Sequence, residues 1–135
     1  MSDFTILVID DNDDCNKLVK FILKHDTDWQ ILTATNGKEG IILAKIHQPE
    51  IILLDIAMPE MDGIEVYKTL KSSSNTRSIP VIFFTAMPML NHTLARQIGK
   101  NVAIIVKPFN IMTLADRINK ISIESQKHKF TKLLD

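Results

Sequence analysis

Five short apolar runs, separated by stretches in which the hydrophobic period changes, constrain this chain more than any other feature. The runs are "TILVI" (5–9), "QILTAT" (30–35), "IILL" (51–54), "VIFF" (81–84) and "VAIIV" (102–106). Each is too short for period to separate strand from helix, but β-branched content and bounding turn residues favour strands. Four are apolar without alternation, as parallel strands covered on both faces are. "QILTAT" is more mixed and reads as an edge strand. Between the runs the period becomes helical. Cys15, Leu18, Val19, Ile22 and Leu23 form one apolar stripe on a first helix. A second helix, less clean, is predicted over about 37–47, with Gly37 and Gly40 near its start. Ile64, Tyr67 and Leu70 mark a third, Leu94, Ala95 and Ile98 a fourth, and Ile111, Leu114, Ala115, Ile118 and Ile121 the last. Five strand–helix alternations imply right-handed crossovers and an α/β fold of (βα)5 type, with a doubly wound, five-stranded parallel sheet.

At 135 residues the chain is long enough for one domain with a real core. Its 16 basic and 16 acidic residues leave no net charge, hence no electrostatic footprint for nucleic acid or a membrane surface. A single cysteine, Cys15, excludes an internal disulfide and fits a reducing compartment. The start "MSDFTILVIDDND" lacks the basic and long apolar regions of a signal peptide. No apolar run approaches the roughly 20 residues that span a bilayer. The expectation is a cytoplasmic domain without membrane or direct nucleic-acid partners.

The residues that close the strands carry the chemistry. The first run ends in Asp10 and Asp11, the third in Asp55, the fourth in Thr85 and the fifth in Lys107. In a parallel sheet these ends share one edge, and ligands of such folds bind outside it. Three neighbouring carboxylates repel unless a cation neutralises them. An oxygen-only set with few ligands suits Mg2+ better than a Ca2+ cage. Lys107 adds a second positive charge and Thr85 a hydroxyl donor, which together match what phosphoryl transfer must stabilise. One carboxylate is then free to act as the nucleophile.

"ILVIDDN", "IILLDIAMPEMDG", "VIFFTA" and "VKPF", in that order, resemble the four motifs of the response-regulator receiver domain (CheY-like) of two-component signalling. The resemblance covers about residues 4–124. It implies the flavodoxin-like strand order 2-1-3-4-5, a receiver domain over 1–124, and a short C-terminal extension over 125–135 with no output domain, hence a stand-alone receiver. It also implies that Asp55 is the phosphoacceptor and that Asp10, Asp11, Asp55 and the backbone carbonyl of Ala57 hold Mg2+. Thr85 becomes the switch hydroxyl, Ala86 the small residue beside it, and Lys107 the phosphoryl-binding lysine, with a cis peptide before Pro108. Ile104 stands where the family often has an aromatic switch partner, and Gly99 lies one residue early for the usual glycine–alanine turn. Ala57 stands where relatives carry polar side chains that tune phosphoryl lifetime. The implied partners are a histidine kinase or phosphotransfer protein and a downstream protein target. The implied state is a monomer or homodimer, and the only catalysis is self-phosphorylation and autodephosphorylation rather than turnover of a separate substrate.

Blander readings stand beside these. The acidic pair could cap the first helix, a role also open to Asn12 or Asp13. Cys15 reads as a small buried hydrophobe rather than a redox site. Trp29 reads as packing near the second strand, and Met87, Pro88 and Met89 as a loop with an adaptable surface. The four scattered histidines have no ligand spacing. Among other functions, a pseudo-receiver acting as an unphosphorylated interaction module is the nearest alternative. A haloacid-dehalogenase-like phosphatase would carry its aspartates after the first strand as D-x-D-x-T. A flavodoxin would need a Ser/Thr/Gly-rich phosphate loop where "DDNDD" stands.

Overall fold

Each apolar run does end as a strand: β1 Thr5–Ile9, β2 Gln30–Ala34, β3 Ile51–Leu54, β4 Val81–Thr85 and β5 Ala103–Val106. The helices are α1 Asp13–Asp26, α2 Gly37–His47, α3 Gly63–Lys71 and α4 Leu114–Leu134. The structure is a computed structural model that describes residues 3–86 and 103–134, with side chains through Gln126. The helix expected around Leu94, Ala95 and Ile98, Gly99, and the Met87–Met89 loop lie outside the described residues. The last expected helix is α4, whose backbone continues without a break to Leu134.

All strand pairs are parallel, in the order β2-β1-β3-β4-β5. β2 is an edge strand, as its mixed composition suggests. β5 is the other edge, which its apolar run conceals. Side chains alternate between two cores. Leu7, Ile9, Ile52, Leu54 and Phe83 face Ile41, Ala44, Val66 and Leu70 of α2 and α3. Ile6, Val8, Leu53, Ile82, Phe84 and Ile105 face Val19, Ile22 and Leu23 of α1 and Leu114 and Ile118 of α4. Burial on both faces explains why the strands read as continuous apolar runs. Phe4 and Trp29 stack with ring centroids 4.6 Å apart beside the amino-terminal ends of β1 and β2.

Helix starts are set by local chemistry. Asn12, Asn36 and Asp62 each cap a helix by accepting a backbone N–H three residues on, with acidic residues in every first turn. Asn12, not the acidic pair, therefore caps α1.

Two stripe residues fall elsewhere than expected. Leu18 of α1 is 47% exposed, and the helix buries Asn16 together with Val19, Ile22 and Leu23. Ile111 precedes α4 and is exposed, so the stripe of that helix begins at Leu114. Among the described residues, no helix is long and apolar enough to cross a membrane.

Candidate functional site

The parallel register brings the predicted residues to one edge. Ile9 pairs with Ala34 on one side and Leu54 on the other, so Asp10 and Asp55 emerge side by side from the central strands β1 and β3. This is where the strand order reverses, the position at which doubly wound sheets bind ligands. The Asp55 N–H donates to the Ile9 carbonyl at 2.9 Å, continuing the ladder into the site.

Asp10 is almost wholly buried and held from several directions. Its N–H donates to the Ala34 carbonyl at 3.1 Å. Its Oδ1 accepts the Asn12 N–H at 2.9 Å, and its Oδ2 accepts Lys107 Nζ at 2.5 Å. The Lys107 ammonium also lies 3.9 Å from Asp55 Oδ1 and 4.9 Å from the centre of the Phe84 ring. Burial alone would lower the Lys107 pKa, but the Asp10 hydrogen bond and the charges of Asp55 and Asp10 outweigh it and hold the group above its ordinary value. Lys107 is positioned from the strand side as well, because its N–H donates to the Thr85 carbonyl at 2.8 Å. Thr85 itself is buried at the end of β4, and Ala86 follows it exposed.

Asp10, Asp11 and Asp55 each offer a carboxylate oxygen within 4.8 Å of the others. Asp55 responds first to its burial and then to that crowding. Burial pushes its carboxyl from 3.8 up to about 6, the Asp10 charge adds to the rise, Lys107 opposes it, and Asp11 raises it again. The donor set is all oxygen, hard and anionic, and it fits Mg2+.

The loop after Asp55 is shaped by close approach. The Gly63 N–H donates to the Ile56 carbonyl at 2.9 Å, and a Cβ on Gly63 would sit 2.3 Å from the Asp55 carbonyl oxygen. Only a residue without a side chain lets α3 begin this near the acid. Ile56 and Met58 are buried in the core, which leaves Ala57 between them exposed beside the site. Glu60 turns the loop with a φ of 67°.

The remaining predicted residues flank this cluster. The Lys107–Pro108 peptide is cis, as the resemblance implies. Ile104 is half-buried, pairs with Phe83 and packs on the α2–α3 core, away from the acids. Two further residues lie at the site: Cys15, expected as a small buried hydrophobe, is only partly buried, and Asn16 was not singled out by the sequence. Cys15 donates its thiol to Asp10, and burial together with the Asp10 charge pushes that thiol up to about 11, so it stays protonated. Asn16 lies beneath Asp10, and a search for apolar residues passes over it. Its signal was its spacing with Val19 and Leu23 on the buried side of α1.

A doubly wound sheet thus carries three acids and a lysine at its switch point, and comparison with known proteins gives the family to which such a chain belongs. Residues 6–119 match the family described as the response regulator receiver domain. The chain is 32% identical over 114 residues to the polar-differentiation response regulator DivK of Brucella anthropi, covering 84% of this chain and 92% of that protein. It is 35% identical over 117 residues to histidine kinase P4 of Formosa agariphila, where it covers 87% of this chain but spans only 8% of the kinase. Among solved structures, the N-terminal domain of a response regulator receiver protein from Methanoculleus marisnigri superposes with a TM-score of 0.72 at 32% identity, over 88% of this chain and 96% of that one. The chain belongs to the response regulator receiver domain family of two-component signalling.

Proposed function

We propose that Asp55 accepts a phosphoryl group from the phosphohistidine of a histidine kinase or phosphotransfer protein, and that the modified domain changes its affinity for a protein target. The observation that carries this reading is the placement of the Asp55 carboxylate, 3.9 Å from Lys107 Nζ and with an oxygen within 4.8 Å of those of two further acids at the switch point. An Asp55 oxygen attacks phosphorus, the P–N bond of the donor breaks, and its electron pair returns to the imidazole. Asp10, Asp11 and Asp55, with the Ala57 carbonyl, would hold Mg2+, which supplies positive charge against the phosphoryl oxygens. Lys107 supplies a second positive charge, held beside Asp55 by its hydrogen bond to Asp10. Thr85, at the end of β4, is the group assigned to donate to a phosphoryl oxygen and to report occupancy. Water later hydrolyses the acyl phosphate, so the domain catalyses only its own modification.

Incubation with Mg2+ and a small phosphodonor should label the wild type and not Asp55→Asn, with the circular dichroism of the variant unchanged. Labelling of Asp55→Asn would mean another acceptor. Beryllofluoride with Mg2+ should bind the wild type, and failure to bind would instead support an unphosphorylated interaction module.

A further inference from the structure

Beneath the acids, Asn16 is a buried amide with an unusual set of partners. Its side chain is 1% exposed, although it projects from a helix whose other buried residues are Val19, Ile22 and Leu23. Nδ2 donates to the Asp10 carbonyl at 2.9 Å and to the Ala34 carbonyl at 3.2 Å. The Ala34 carbonyl is also the acceptor of the Asp10 N–H. One amide thus ties together the ends of β1 and β2 and the start of α1, at the residue whose carboxylate holds Lys107. Its Oδ1 is buried and has no partner, the one such side-chain atom among the described residues. A buried acceptor left unpaired is destabilising. A leucine of similar shape would remove the orphan acceptor, but it would also remove both donated hydrogen bonds and the amide that pairs the Asp10 carbonyl.

We infer that Asn16 is a positioning residue for the acidic site. It fixes the Asp10 backbone, so that the Asp10 carboxylate can face Lys107 and the metal position at once. Groups behind metal ligands orient them, and their loss commonly weakens metal binding about 10–100-fold. This inference rests on the proposed Mg2+ role of Asp10, Asp11 and Asp55, and its test is arranged to separate the two.

Mg2+ alone is titrated into the wild type, Asn16→Leu and Asn16→Ala by calorimetry, well below each melting temperature, and thermal stability is measured in parallel. Asn16→Leu, which loses both donated hydrogen bonds, should lose stability and bind Mg2+ about 10–100-fold more weakly. Asn16→Ala should lose both stability and affinity. A purely structural asparagine would give variants that lose stability but bind Mg2+ within twofold of wild type, which would overturn the inference and leave the function intact. Failure of both variants to fold would make Asn16 a fold determinant and overturn it as well. Absence of Mg2+ binding by the wild type would overturn the metal reading itself, and this inference with it.

Discussion

At Asp55 the site is in tension without a cation. A carboxyl whose pKa rises on folding from 3.8 to about 6 binds its proton more tightly in the folded than in the unfolded chain. Its contribution to stability is therefore fully present below about 3.8 and is lost as pH rises through about 6. Two consequences are measurable by urea unfolding of the metal-free protein. Asp55→Asn should be more stable than wild type at pH 7, by about 1–3 kcal/mol. The difference should shrink toward pH 4, and a variant equally stable with wild type at both pH values would contradict the burial and crowding of Asp55. Gly63 makes a second residue-scale case. A methyl at 2.3 Å from the Asp55 carbonyl oxygen forces the loop to move, so Gly63→Ala should cost about 1–3 kcal/mol. It should also weaken beryllofluoride binding, although Gly63 contributes no ligand atom. Unchanged binding would show that the loop tolerates the shift.

The elements show which parts of the chain speak for themselves. On α1, Leu23 is fully buried while Leu18 is nearly half exposed, although both fit the same apolar stripe. Leu23→Ala should cost about 2–5 kcal/mol in chemical unfolding, whereas Leu18→Ala should stay within about 0.5 kcal/mol. The strands were legible because burial on both faces leaves an uninterrupted apolar run that ends where the chain leaves the core. α2 was legible over Gly37–His47 despite its weak stripe, because turn residues bound it on both sides. The acids, Thr85 and Lys107 were legible from their positions at strand ends, since parallel topology converts sequence position into spatial neighbourhood. Asn16 and the contact of Gly63 with Asp55 were not. Both depend on which backbone atom lies opposite, and hydrophobic patterning carries no information about that. Ile111 misled for a related reason: it continues the helical spacing backwards, but the chain turns before Leu114 and leaves it in water.

For the molecule as a whole, the five-stranded sheet holds the site rigid at one end and leaves stability to be tuned there by ligand. A cation that binds only the folded chain stabilises it by mass action, by about 2.7 kcal/mol at 100 times its dissociation constant. Mg2+ at that excess, at pH 7–8, should then raise the melting temperature by roughly 10 °C for a domain of this size. An unchanged melting temperature in calorimetry would argue against a metal at these acids. The opposite end of the sheet is occupied by the Phe4–Trp29 stack, and Trp29 is the only tryptophan in the chain. Its emission therefore views the molecule from the far side of a rigid partition. Intrinsic fluorescence is a clean optical gauge of unfolding and a poor one of signalling, so a silent Mg2+ titration at that wavelength says nothing against binding. A reporter of the switched state has to be built at the acidic edge.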